Sequence, residues 1–105
     1  MDVELRFVQG CPNLTVIRQL LVIALEAVGR SDTQVRLRLV RTSAEAAALD
    51  FVGSPTVLIN GCDPFPRDEA AVGLSCRLYR RDGGLSGSPS VEQLVGALAA
   101  SRPAG

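Results

Sequence analysis

Three stretches of this chain change their hydrophobic period in succession, and that succession restricts the fold more than any single residue does. Val3, Leu5 and Phe7 alternate with Glu4 and Arg6, so residues 3–8 read as a strand with one apolar face. From Leu14 to Val28 the apolar residues Leu14, Ile17, Leu21, Leu25 and Val28 recur at helical spacing. Val35, Leu37 and Leu39 then alternate with Arg36 and Arg38 across residues 34–40. A strand, a full helix and a second strand in that order predict a parallel pair with a right-handed crossover. The clean alternation of the second strand suits a sheet edge with one solvated face.

The corner between the first strand and the helix is Gly10-Cys11-Pro12-Asn13. Pro12 fits the first helical position and Gly29 the position just past the end, which predicts a helix over 12–28 with Cys11 at or next to its N-cap. A helix start carries unpaired N–H groups and a partial positive charge, and both favour a thiolate over a thiol. Cys11 is therefore the first candidate for chemistry.

Further along, Ala44–Leu49 reads as a short helix with Ser43 as its N-cap. Val57–Ile59 is a short strand entered through Ser54-Pro55 and closed by Asn60-Gly61. Residues 61–74 read as a loop, with Pro64 and Pro66, and residues 75–80 as a fourth strand. Asp82-Gly83-Gly84 is a turn, and Ser90-x-x-Gln93 is a capping box for a last helix over about 90–101. The order is β-α-β-α-β-β-α, the last two strands antiparallel. One domain over 1–101 and a flexible tail over 102–105 complete the expectation.

Composition removes several functions. The chain of 105 residues has no His, which excludes Cys-His and Ser-His nucleophile pairs and histidine metal ligands. Eleven arginines balance eleven acids, so there is no basic field for nucleic acid. The longest apolar run is interrupted by Arg18, Gln19 and Glu26, too polar to span a bilayer, so no membrane partner is expected. The start, MDVELRFV, does not read as a signal peptide, which points to a cytoplasmic protein with reduced thiols. A phosphatase loop needs Cys-x5-Arg; Arg18 lies one position too far from Cys11. No cofactor is implied.

The element order, a cysteine opening helix one and a proline opening strand three, resembles the thioredoxin-like plan over about residues 3–100. The run "GCPN", "FVGSPT", "NGCDPF" and "GLSCRLYR" is similar to short bacterial thioredoxin-like proteins often labelled alkylmercury-lyase-like. The resemblance implies a four-stranded mixed sheet with packed helices, Cys11 as the active thiol with Pro12 stiffening its corner, and a cis Ser54–Pro55 bond facing it. It also implies that the backbone of Ser54 receives a bound thiol or extended peptide. The chain departs from that pattern at Leu14, where a dithiol thioredoxin carries its second cysteine.

Cys62 and Cys76 are the remaining thiols. If strands three and four pair, both lie at the end remote from Ser54-Pro55, nearer to each other than to Cys11. Cys76 shares a face with Leu78 and reads as buried; Cys62 reads as an exposed loop residue. A reversible Cys62–Cys76 bond is one candidate. In an organomercurial lyase an acid stands three residues after a cysteine; here those positions are Leu14, Phe65 and Tyr79, which argues against carbon–mercury cleavage. Soft-metal capture by Cys11 with Cys76 asks for less. Three functions follow: a thiol protein acting through Cys11 on a small thiol or a protein thiol, in redox or ligand binding; a soft-metal or organomercurial binder; and an interaction domain without chemistry.

Overall fold

The computed structural model describes residues 1–65, 72–81 and 83–101. Pro66, Asp68, Asp82 and the tail 102–105 lie outside the described residues. The elements are β1 (Val3–Phe7), α1 (Leu14–Ala27), β2 (Val35–Leu39), α2 (Ser43–Ala48), β3 (Thr56–Ile59), β4 (Tyr79–Arg81), β5 (Gly84–Ser86) and α3 (Val91–Ala100). The result is a mixed α/β domain built on a small mixed sheet.

β1 is the central strand of the order β2-β1-β3. It pairs in parallel with β2 and antiparallel with β3, Val3 opposite both Val35 and Ile59. Val3, Leu5, Val57 and Ile59 all point to one face, where Ile17, Leu21, Ala24 and Leu25 of α1 and Leu94 and Leu98 of α3 cover them. Burying an aliphatic side chain of this size contributes about 1.5–3 kcal/mol, so this face holds most of the fold together. Val35 packs against this core, but Leu37 at the outer edge is 44 % exposed rather than turned in, because β2 has no neighbour on its far side.

The other face is polar. Arg6 Nε donates to Glu4 Oε2 at 2.8 Å, and Arg36 reaches Glu4 Oε1 at 3.5 Å and both oxygens of Asp2. A second, smaller cluster of Val40, Ala46 and Phe51 sits under α2.

The expected four-stranded sheet is not formed. Asn60 and Gly61, at φ 53° and 81°, make a tight turn after β3, and Cys62 pairs back on Ile59. Pro64 has no N–H to continue the ladder, and the Asp63 carboxylate caps the Phe65 N–H at 3.0 Å, so the chain leaves β3 at once. It returns beside the opposite end: Ser54 and Cys76 form a parallel bridge. The strand expected over 75–80 shortens to β4, which pairs with β5 as a separate antiparallel hairpin.

Two helix starts shift. α2 is capped by Thr42, whose hydroxyl accepts from Glu45 N, and not by Ser43. α1 begins at Leu14 after the cap residue Asn13, two positions later than expected, and Asn13 makes no side-chain cap bond. The Ser90–Gln93 capping box at α3 is complete. Among the described residues no helix is long and apolar enough to cross a membrane.

Candidate functional site

The Cys11 corner consists of two successive turns. Cys11 N donates to Val8 O at 3.2 Å, closing a four-residue turn in which Gly10 takes φ 76°. A side chain would be strained there, so glycine is the residue that fits. Leu14 N then donates to Cys11 O at 3.4 Å, which closes a second turn over Pro12 and Asn13. Pro12 is exposed and lies in this second turn, not at the first helical position. Cys11 is half-buried, with its thiol unpaired by any disulfide.

The Ser54–Pro55 peptide bond is cis. The β1–β3 register ends at the Arg6–Thr56 pair, and just beyond it Ser54 lies beside Val8, three residues before Cys11. Ser54 is fully buried, and its Oγ accepts from Val8 N at 3.1 Å. Its backbone faces the other way: Ser54 N donates to Ser75 O at 2.8 Å, and Ser54 O accepts from Arg77 N at 3.0 Å. The backbone that the sequence assigned to a bound peptide is thus occupied by the chain's own segment 75–77.

That segment inverts the predicted face. Arg77 and Tyr79 are buried, whereas Cys76 and Leu78 are exposed, Leu78 by 60 %. The apolar pair Cys76 and Leu78 predicts the opposite face as the buried one. The polar pair won because it has partners on the protein side. Arg77 Nη1 lies 2.6 Å from Asp63 Oδ2 and its Nη2 3.2 Å from Oδ1, a bidentate, nearly buried ion pair. The same guanidinium lies 4.6 Å from the centre of the Tyr79 ring. The Tyr79 ring also meets Phe65 edge-on, centroids 5.5 Å apart at 89°. The Tyr79 hydroxyl donates to Pro55 O. Gly53, at φ 132°, admits this packing: a Cβ there would fall 2.8 Å from the Cβ of Arg77.

Burial pushes the Tyr79 phenol well above its ordinary 10.0; Arg77 opposes the shift, and the Asp63 carboxylate adds to it. Gly87, just past β5, lies close against the Asn13 side chain, where an added Cβ would collide with it.

The three thiols divide differently from expectation. Cys76 is exposed and stands beside Ser54, at the Cys11 end of the sheet, not buried at the remote end. Cys62 is exposed at the opposite end of β3. Five residues of extended chain separate their partners Ser54 and Ile59, roughly 17 Å, and a disulfide needs Cα atoms within about 7 Å. A Cys62–Cys76 bond does not fit this arrangement. Among the described residues no group of three or more Cys, Asp or Glu is placed to hold a metal ion. A cleft of about 250 Å³ opens on the polar face between Arg6, Leu49, Thr56, Leu58 and Asp63; Cys11 does not line it.

Tyr79, Arg77, Asp63 and Val8 are the neighbours that sequence reading did not assign to the site. A signal for the first three was available: Arg77 and Tyr79 alternate in the fourth strand, and an acid, Asp63, lies in the preceding loop. No protein-family model matches the chain, and neither a curated protein nor a solved structure matches it.

Proposed function

We propose that this is a thioredoxin-like thiol protein in which Cys11 performs monothiol exchange or binds a thiol ligand. The observation that supports the reading most is the half-buried Cys11 at the end of β1, in a turn tied through Val8 to the Ser54–Pro55 segment. In exchange, the Cys11 thiolate attacks one sulfur of a substrate disulfide. A Cys11–substrate disulfide forms, the substrate S–S bond breaks, and the departing thiolate takes a proton from water. An external small thiol then attacks the mixed disulfide, frees Cys11 and leaves with the substrate half as a new disulfide. Leu14 offers no internal sulfur for that second step.

Alkylation by iodoacetamide across pH, read by peptide mass, tests this. Accessibility alone favours Cys62 and Cys76, both more exposed than Cys11. Cys11 reacting first at neutral pH is the expected result, and either of the others reacting first overturns the assignment. Reduction of insulin by a dithiol donor should be slow or absent.

A second reading, capture of a soft metal ion as cargo, is favoured by the position of Cys76 next to Ser54 rather than at the remote end. Mercuric ion should bind and protect Cys11 and Cys76 together from alkylation. Methylmercury should bind without releasing methane, since no acid stands at the lyase spacing from any cysteine. Protection of Cys11 alone would remove this second reading.

A further inference from the structure

We propose that the Ser54 hydroxyl and the Tyr79 phenol are positioning groups that hold the Cys11 turn, each through one hydrogen bond to backbone, and this rests on the reading of Cys11 as the working thiol. Ser54 is fully buried, a costly place for a hydroxyl. Its two backbone groups are both turned to the 75–77 segment, so its side chain alone ties this point of the chain to Val8 beyond the end of β1. Val8 in turn accepts from Cys11 N, so one side-chain oxygen sets where the turn carrying the thiol begins.

Tyr79 secures the next residue. Its hydroxyl donates to Pro55 O, and its ring is gripped by the Arg77 guanidinium and the edge of Phe65. The ion pair of Arg77 with Asp63 fixes the ring, the ring fixes Pro55, and Ser54 passes the constraint to Val8. Both hydroxyl groups can be removed as single oxygens, by Ser54→Ala and Tyr79→Phe, without altering the apolar packing around them.

The experiment compares iodoacetamide rates at Cys11 and Cys62 within the same molecule, for the full chain and each variant, together with thermal unfolding. Cys62 lies at the far end of β3 and serves as the internal reference. The Cys11-to-Cys62 rate ratio at neutral pH should fall about fivefold in Ser54→Ala, the factor that one net hydrogen bond is worth, and in the same direction in Tyr79→Phe. A ratio that stays constant or rises while the melting temperature drops makes both groups merely structural and overturns the proposal. Should Ser54→Ala fold poorly, Tyr79→Phe decides alone, because its ring contacts remain. Failure of the underlying reading looks different: Cys11 would then be the slow thiol in the unaltered protein.

Discussion

The two ends of β3 are both secured by a polar side chain, yet they are built on opposite terms. At the Ser54 end the bonds are buried or partly buried. Ser54 holds Val8, Tyr79 holds Pro55, and Arg77 is locked to Asp63 with side chains only 4 % and 10 % exposed. At the Asn60 end the bonds are exposed. Asn60 Oδ1 accepts from Asp2 N at 2.9 Å, its Nδ2 donates to Ser101 O at 3.1 Å, and its N–H donates to Asp2 O at 2.7 Å. Water can replace any exposed partner that is lost, whereas a buried one leaves an orphan. Burial of the partners, more than the number of bonds, therefore separates a firmly held end from one that water can share, and the thiol stands at the firmly held end.

The largest effect expected from breaking this contrast is at Asp63. Asp63→Ala strands a buried guanidinium and should cost about 3–5 kcal/mol in urea unfolding. Gly53→Ala comes next. It forces a side chain into φ 132° and against Arg77, and should cost about 1–3 kcal/mol from backbone strain alone, with the collision added. At the other end, Asn60→Gly, which keeps φ 53° free of strain, should cost only about 1 kcal/mol and leave the alkylation rate of Cys11 untouched. Equal losses at Asn60 and Asp63 would erase the distinction between the two ends.

The smallest effect at ordinary pH concerns Tyr79. Burial raises its phenol above 10.0, so the fold favours the neutral form. The stability tied to Tyr79 is fully present below about pH 10 and is lost as pH rises beyond it, because only the unfolded chain ionises there freely. Tyr79 is the sole tyrosine and there is no tryptophan, so the ultraviolet phenolate signal reports this group alone. That signal should appear together with unfolding. A phenolate that forms in the folded protein near its ordinary value would mean that the Ser54 end is open to water.

Much of the fold is legible in local pattern. The apolar alternation of Val3 and Leu5, the helical spacing of Ile17, Leu21 and Leu25, and the Ser90–Gln93 box each depend on neighbours a few residues away, and each forms where its period puts it. The parallel pairing of β1 with β2 follows from the length of the connection between them. What was not legible depends on distant partners. Cys76 and Leu78 look like a core face until Asp63, fourteen residues before Arg77, draws the opposite face inward. Pro12 looks like a helix start until the Val8–Cys11 turn delays the helix to Leu14. At the candidate site, Cys11, Ser54 and Pro55 are readable as residues. The hydroxyl of Ser54 as a link to Val8, and Tyr79 as its companion, required the register of β1 on β3.

The Asn60 clasp also decides how the molecule can be handled. Asp2 and Ser101 meet on one side chain, so the start of the first strand and the end of the last helix lie within a hydrogen bond of the same amide. A short linker from residue 101 back to residue 2 would close the chain into a ring, and new ends could then be opened elsewhere. A surface tether fixed at either residue would attach the protein by the end of β3 opposite Ser54, roughly 17 Å along the strand direction, and leave the Cys11 turn facing away from the support.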